Sequence, residues 1–152
     1  MISRTGPRPT TSTHGPHRQL DQRATPELWG RLVHEAMALP GVTEGHSQVS
    51  PAPTRALLLL DLHVVGPTGS SLAAVLPVEP AHIHGVTDTS LHICLPAQLT
   101  AAAVDSGWAE PHQYADHPTE VMVYAPRDES ELGIVVELVR SSIEFAMGAS
   151  LD

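Results

Sequence analysis

The stretch Ala81-His-Ile-His-Gly-Val-Thr-Asp-Thr-Ser-Leu-His-Ile-Cys-Leu95 decides the fold of this chain. Apolar residues alternate with polar ones along both of its arms, a pattern that is typical of half-buried β-strands. The run from Gly85 to Ser90 between the arms is rich in turn-forming residues. The sequence therefore predicts a β-hairpin with one buried face, formed by Ile83, Leu91, Ile93 and Leu95.

The same alternation indicates which side chains share the opposite face of the hairpin. If Ile83 lies on the buried face, odd-numbered residues must pair with odd-numbered ones, and His82, His84, His92 and Cys94 then project from the other side. In that register His84 can lie directly opposite His92, with Cβ atoms roughly 5 Å apart. The parity also requires a loop of odd length, such as three residues with a bulge. Three imidazoles and a thiol on one face predict a functional site.

The three histidines allow different chemistries. Two ligands from one strand and a third from its neighbour suit Fe, Cu, Ni or Zn, so His82, His84 and His92 are candidate metal ligands. A metal-free proton-transfer pair is an alternative, because histidine titrates near neutral pH. Solvated or structural histidines are a third interpretation. The expected cofactor is therefore either none or a single transition metal.

The segments around the hairpin predict three helices. Thr25-Pro26-Glu27 provides the N-cap hydroxyl and the first-turn proline of a helix start, and Pro40-Gly41 ends that helix. A second helix is predicted over residues 97–106. A third is predicted to run from a capping-box-like start at residues 128–131 to about residue 147.

Further strands are predicted among these helices, near residues 46–49 and at residues 55–65, 72–78 and 121–124. Strands that helices interrupt irregularly are typical of an α+β fold. We therefore expect a single, mainly antiparallel sheet with about three helices packed on it. Residues 1–23, rich in Thr, Pro, Arg and His, are predicted to be a disordered tail in which His14 and His17 are solvated. Residues 24–152 are predicted to form one domain.

Composition limits the classes of partner and compartment. The chain has a formal charge of −9, with eight arginines and no lysine. This balance argues against nucleic acid and against an anionic membrane surface. A single cysteine, Cys94, cannot form an internal disulfide, and no signal peptide or membrane-spanning run is visible. We expect a cytoplasmic protein with a small-molecule ligand, no nucleic acid and no membrane, and the sequence leaves a homodimer open.

Several segments taken together resemble the luciferase domain family, which includes the fungal luciferases. The likeness covers roughly residues 26 to 147 and rests on six stretches: Leu39-Pro-Gly-Val42, Ala81-His-Ile-His84, Ser90-Leu-His-Ile-Cys-Leu-Pro96, Gly107-Trp-Ala-Glu-Pro-His112, Val123-Tyr-Ala-Pro-Arg-Asp-Glu129 and Leu138-Val-Arg-Ser-Ser-Ile-Glu-Phe-Ala146. The first and last of them are also similar to the small YjbR-type α+β fold. Two positions depart from the family pattern, namely Ile143 in place of an aromatic residue and the loop 85–90 in place of a more proline-like turn.

The resemblance implies an enzyme that oxidises a small, electron-rich organic substrate with O₂, like a small oxidase or monooxygenase. It carries over to His82, His84, His92, Trp108, His112, Tyr124, Arg127 and Asp128. Among these, the predicted catalytic residues are His84, His92, Tyr124 and Arg127, and the predicted substrate-binding residues are Trp108 and His112. The alternative function is a non-catalytic small-molecule-binding or protein-interaction module of YjbR-like fold. In ordinary structural roles, Trp108 would belong to the core and Arg127 would pair with Asp128 or Glu131.

Overall fold

The computed structural model describes residues 1–60, 77–113 and 119–148. Within these ranges the chain forms three helices and six strands: α1 (Pro26–Met37), β1 (Val42–His46), β2 (Arg55–Leu59), β3 (Val78–Ile83), β4 (Leu91–Cys94), α2 (Ala97–Asp105), β5 (Ala109–Pro111), β6 (Glu120–Val123) and α3 (Glu129–Ala146). The strands form one antiparallel sheet in the order β1-β2-β3-β4-β6-β5. The predicted α+β fold is confirmed. The predicted strand at residues 72–78 and the end of the one at 55–65 lie largely outside the described residues.

The helix starts follow from their capping residues. The Thr25 hydroxyl accepts a hydrogen bond from the Leu28 amide at 3.2 Å, and Pro26 takes the first helical position of α1. At the start of α3 an Asp128 carboxylate oxygen accepts from the Glu131 amide at 2.9 Å. Each cap satisfies an amide that has no partner within its own helix. Both caps were predicted from the sequence.

One face of the sheet forms the hydrophobic core with the helices. Ile83, Leu91, Ile93 and Leu95 all belong to this core, as the alternation in the hairpin predicts. Helices α1 and α3 pack on each other, and α3 lies on β3 and β4 while α1 lies on β1 and β2. The helices bury Leu32, Val135, Val139 and Ile143. Each fully buried side chain of this size stabilises the fold by about 1.5–3 kcal/mol.

The hairpin register keeps the predicted parity but shifts the pairing of the histidines. His82, not His84, lies opposite His92, and the His84 amide donates to the Ser90 carbonyl at 2.9 Å. The loop therefore contains five residues, Gly85 to Thr89, so the odd length is confirmed and the three-residue version is wrong. The loop closes through the Asp88 and Thr89 amides, which both donate to the Gly85 carbonyl, and Thr89 adopts a φ of 71°.

The N-terminal segment, residues 1–23, is held against the domain and is not the disordered tail that its composition predicts. The Trp108 indole donates to the Ile2 carbonyl at 2.6 Å, and Arg8 Nη1 donates to the Ala109 carbonyl at 2.9 Å. The side chain of Gln19 is buried and accepts from the Ala125 amide at 2.9 Å. Polar side chains anchor the segment through long-range hydrogen bonds, and a composition poor in apolar residues gives no sign of such anchors.

Helix lengths and hydropathy bear on membrane insertion. In the part of the chain that the structure describes, no helix is both long enough and apolar enough to cross a bilayer.

Candidate functional site

The sheet face opposite the helices carries a group of five side chains that we call the histidine cluster: His17, His82, His84, His92 and His112. Strand alternation places the three hairpin histidines on this face, because their odd-numbered neighbours enter the core. His112 follows β5, and His17 arrives from the N-terminal segment. The ring centroids of contacting pairs lie 4.6–5.8 Å apart. His112 is the most accessible member, with 16% of its side chain exposed, and the other four are buried.

Three of these imidazoles form a continuous row between two carboxylates, with neighbouring atoms at hydrogen-bonding distance. His82 Nδ1 lies 2.9 Å from Glu79 Oε2, and His82 Nε2 lies 3.2 Å from His92 Nδ1. On the other side His92 Nε2 lies 3.2 Å from His17 Nδ1, and His17 Nε2 lies 2.9 Å from Glu110 Oε2. We call this row of five groups the imidazole chain. It joins β3, β4, β5 and the N-terminal segment through side chains alone.

Other polar groups fix both ends of the imidazole chain. Glu79 is fully buried and accepts from the Ser47 hydroxyl at 2.7 Å and from the Gln48 amide at 2.8 Å. Glu110 accepts from the Thr11 hydroxyl and from the Tyr124 hydroxyl, each at 3.0 Å. These donors satisfy carboxylate oxygens that would otherwise be costly to bury.

The remaining two histidines each have a carboxylate partner of their own. His84 Nδ1 lies 2.9 Å from Ser90 Oγ and 3.3 Å from Asp88 Oδ2, and the Ser90 hydroxyl donates to Asp88 Oδ1 at 2.5 Å. His112 Nε2 lies 3.3 Å from Glu120 Oε1. All four histidines around His92 therefore have an acidic partner, while His92 has an imidazole on each side.

Burial and neighbouring charges act on the protonation of the cluster. Burial lowers the pKa of His92 well below its usual value, and the other imidazoles around it add to this effect. Burial also lowers the pKa of His82, although its hydrogen bond to Glu79 opposes the change. Both rings are therefore neutral near pH 7 in the protein as it stands.

The acidic groups and the tyrosine respond to the same burial. Burial by itself would raise the pKa of Asp88, but hydrogen bonds from His84 and Ser90 outweigh it and lower the value. Burial would likewise raise the pKa of Glu110, and hydrogen bonds from His17, Thr11 and Tyr124 lower it. The pKa of Tyr124 is raised, chiefly by burial. The cluster thus places the neutral rings of His82 and His92 near the ionised carboxylates of Asp88 and Glu110.

Two triads within the cluster are close enough to hold a metal ion. In one, ligand nitrogens of His82, His84 and His92 all lie within 4.8 Å of one another, and their role as metal ligands stays a prediction. In the other, those of His17, His92 and His112 meet the same condition. His92 belongs to both triads.

The structure brings some of the predicted site residues together and leaves others apart. His84, His92 and His112 meet in the cluster, and Tyr124 reaches it through Glu110. Trp108 lies in the hydrophobic core, where its indole N–H is bonded to Ile2. Its role in substrate binding stays a prediction.

Arg127 uses its guanidinium elsewhere. Its Nε and Nη2 donate to the two carboxylate oxygens of Glu131 at 2.6–3.1 Å, and Nη2 also donates to the Thr5 carbonyl at 2.7 Å. The pairing with Glu131 is one of the two ordinary roles expected from the sequence. In this position Arg127 holds the N-terminal segment, and its catalytic role stays a prediction.

Sequence reasoning missed five members of the site: His17, Glu79, Asp88, Glu110 and Glu120. Glu79 and His82 are three residues apart, and in a regular strand such side chains point to opposite faces. A bulge in β3 lets these two meet, so their spacing is only a weak signal of the contact. His17 and Glu110 are far apart in sequence, and no local pattern could have paired them.

The model of the family described as "Luciferase domain" matches residues 78–142. Over these residues the chain is similar to that family. The matched residues run from β3 into α3 and include four of the five cluster histidines, whereas His17 lies before them.

Curated relatives extend the likeness beyond the family match. The luciferase of Armillaria mellea is 30% identical over 161 residues, and that of Armillaria gallica is 29% identical over 160 residues. Each alignment covers 93% of this chain and 59% of the relative. The luciferase of Neonothopanus nambi is 37% identical over 73 residues, which cover 44% of this chain and 27% of the relative.

The alignments cover only part of each relative. The chain spans about 59% of the length of the Armillaria relatives. The search of solved structures found no significant match. The likeness to the YjbR-type fold therefore stays a prediction.

Proposed function

We propose that this protein is an oxidoreductase that uses O₂ to oxidise a small, electron-rich organic molecule at the histidine cluster. The relatives that carry the name luciferase support the reaction class. The observation that carries the proposal is His84, an imidazole held by Asp88 and Ser90 near the start of the matched family segment. A base in this setting is what activation of an enol or phenol requires.

The proposed reaction needs a base that takes up one proton and returns it, and one molecule of O₂. The substrate R–H gives its proton to the base, and the electron pair stays on the substrate. One electron then passes to O₂, the two radicals combine to form a C–O bond, and the resulting peroxide anion takes the proton back. The sum is R–H + O₂ → R–OOH, and no other oxidant or reductant takes part.

His84 is the proposed base because its hydrogen bonds determine its tautomer. The Ser90 hydroxyl gives its only proton to Asp88, so Ser90 Oγ must accept from His84 Nδ1. His84 Nε2 then carries the lone pair that receives the substrate proton. The Asp88 carboxylate 3.3 Å away stabilises the imidazolium that forms.

The other predicted residues have supporting roles in this proposal. The ring of His92 packs at 88° to that of His84, with centroids 4.7 Å apart, and so positions it. Tyr124 positions Glu110 through its hydroxyl. His112, the most accessible ring of the cluster, is the proposed contact for a small-molecule substrate.

Oxygen consumption tests the proposal. A panel of enols and catechols is incubated with the purified protein, and O₂ uptake is followed with an electrode while hydroperoxide is assayed in parallel. We expect uptake with at least one compound, and a loss of roughly 100-fold or more in kcat for His84→Gln, the usual size of a general-base contribution.

His34→Gln is the matched control, because His34 is exposed on α1. It should retain the activity of the unchanged protein. Full activity in His84→Gln would contradict the assignment of the base. Ligand binding without O₂ uptake across the panel would instead favour the non-catalytic binding module.

A further inference from the structure

The imidazole chain has one proton fewer than its contacts need. The chain has four contacts, namely Glu79 with His82, His82 with His92, His92 with His17, and His17 with Glu110. Each contact needs one proton between its two atoms. Three neutral imidazoles supply three protons, because each ring carries one N–H. With both carboxylates ionised, one contact therefore has a lone pair on both sides.

Counting from the two carboxylate ends shows where this gap can lie. Glu79 accepts from His82 Nδ1, so His82 Nε2 is an acceptor and His92 Nδ1 carries a proton. Glu110 already accepts from Thr11 and Tyr124, and it accepts from His17 Nε2, which leaves His17 Nδ1 without a proton. In this arrangement His92 Nε2 and His17 Nδ1 face each other at 3.2 Å with two lone pairs. Such a pair repels unless a cation lies between the nitrogens.

We propose that His17, His92 and His112 bind one divalent transition-metal ion of the Zn²⁺ class at this point. The three ligand nitrogens lie within 4.8 Å of one another. Metal–nitrogen bonds of about 2.0–2.1 Å with tetrahedral angles place two nitrogens roughly 3.3 Å apart. The observed 3.2 Å between His92 Nε2 and His17 Nδ1 fits this value. A proton shared between His92 and His17 needs only these two rings, whereas a metal site needs further ligands. The third imidazole, His112, therefore favours a metal ion.

The partners of the ligands are those that metal sites use. A histidine that binds a metal almost always donates its second ring proton to a carboxylate, a carbonyl or water. Here His17 Nε2 faces Glu110 at 2.9 Å, and His112 Nε2 lies 3.3 Å from Glu120. His92 Nδ1 donates to His82, which in turn donates to Glu79.

The accessibility of the triad suits an exchangeable ion. Two of the ligands are buried, while His112 keeps 16% of its side chain exposed. Three nitrogens leave the fourth tetrahedral position for water or another small ligand. The site shares His92 and His112 with the residues that support the proposed oxidation, but the proposed base His84 is not one of its ligands. Zn²⁺ binding and O₂ uptake are therefore separate measurements.

Two rivals explain the same gap in charge. A single extra proton could lie between His92 and His17. The neighbouring triad of His82, His84 and His92 could hold the ion instead, with the proton of His92 moved to Nε2. Each rival predicts a different pattern of variants.

Metal titration of the full chain separates these cases. The protein is stripped with a chelator and titrated with Zn²⁺ by calorimetry. We expect one ion per chain. His112→Gln and His17→Gln should each weaken Zn²⁺ binding by at least tenfold, and Glu110→Gln by 10–100-fold, the usual range for a partner of a ligand. His84→Gln and the surface control His34→Gln should leave the affinity unchanged.

A second measurement follows the N-terminal segment itself. Arg18 and Arg23 are exposed, so trypsin can cleave after them. Because His17 is a proposed ligand, Zn²⁺ should slow this cleavage in the unchanged protein and have no such effect in His112→Gln, which leaves the segment intact. Thermal unfolding without metal verifies that each variant is folded.

Three outcomes would overturn the proposal. Absence of Zn²⁺ binding would leave the extra proton as the explanation. Loss of binding in His84→Gln with full binding in His112→Gln would place the ion in the neighbouring triad. Zn²⁺ binding that changes neither with His17→Gln nor with His112→Gln would mean an unrelated site. O₂ uptake is measured separately, so a chain that binds Zn²⁺ and consumes no O₂ would refute only the proposed oxidation.

Discussion

The two faces of the sheet are stabilised in different ways. On one face three helices bury Ile93, Leu91 and their neighbours, and the gain is proportional to the apolar area removed from water. On the other face the N-terminal segment covers the histidine cluster, and polar side-chain atoms meet there in series at 2.9–3.2 Å. Burial is non-directional and tolerates small shifts, whereas a series of polar contacts needs every partner in place. The comparison shows that one sheet can combine a tolerant core with a demanding polar layer.

The largest effect is expected on the helix-covered face. Ile93→Ala removes a fully buried side chain from the core and leaves a cavity, so the free energy of unfolding should fall by about 2–5 kcal/mol. Urea denaturation followed by circular dichroism measures this change. Val86→Ala is the control, because Val86 is exposed and should cost less than about 0.5 kcal/mol. Equal losses for the two variants would mean that this face is not the core.

A smaller but more specific effect is expected on the histidine face. His82→Leu leaves the buried Glu79 carboxylate without its imidazole partner, and we expect a loss of about 2–4 kcal/mol in metal-free protein. Glu79→Gln combined with His82→Leu should cost less than the sum of the two single changes, because the pair acts as a unit. A urea double-mutant cycle measures the coupling. Simple additivity would show that the imidazole chain is not energetically connected at this end.

The smallest effect concerns the ion pair that borders the N-terminal segment. Burial alone would raise the pKa of Glu131, but hydrogen bonds from Arg127 outweigh it and lower the value. The ionised form is therefore favoured by folding. The ionised Glu131 contributes fully to the free energy of unfolding above its unfolded pKa of 4.5. This contribution is lost as the pH falls through the lower pKa of the folded state.

Glu131→Gln tests this sign. At pH 7 the variant should be less stable by about 1 kcal/mol, since a neutral amide cannot replace the charge-assisted bonds. The difference between the two proteins should shrink below pH 4.5 in thermal melts recorded across the acid range. A difference that stays constant down to pH 2 would contradict the role of the carboxylate charge.

Much of the apolar face could be predicted from the sequence. The alternation of Ile83, Leu91, Ile93 and Leu95 fixed the parity of the hairpin, and Thr25 and Asp128 marked two helix starts. These signals are local, since neighbouring residues carry all the information. The pairing register of the hairpin could not be predicted from such local signals. It depends on a five-residue loop in which Thr89 adopts a positive φ and Asp88 bonds to Ser90.

The polar layer was predicted only in part. Strand alternation brought His82, His84 and His92 to one face, but their acidic partners come from separate places in the chain. His17 lies in a segment whose composition is typical of disorder, and its contacts with Glu110 and His92 span 93 and 75 residues. Tertiary contacts of this length leave no local pattern. The catalytic and substrate-binding roles stay predictions for the experiments above.

The N-terminal segment has a consequence for how the molecule opens. Its anchors described above are polar contacts made by the side chains of Trp108, Arg8, Arg127, Gln19 and His17. The segment can therefore peel away while the apolar layer stays closed, in a local opening that costs less than global unfolding. Hydrogen exchange would register two separate free-energy levels, a low one for amides near Gln19 and a high one for the central strands.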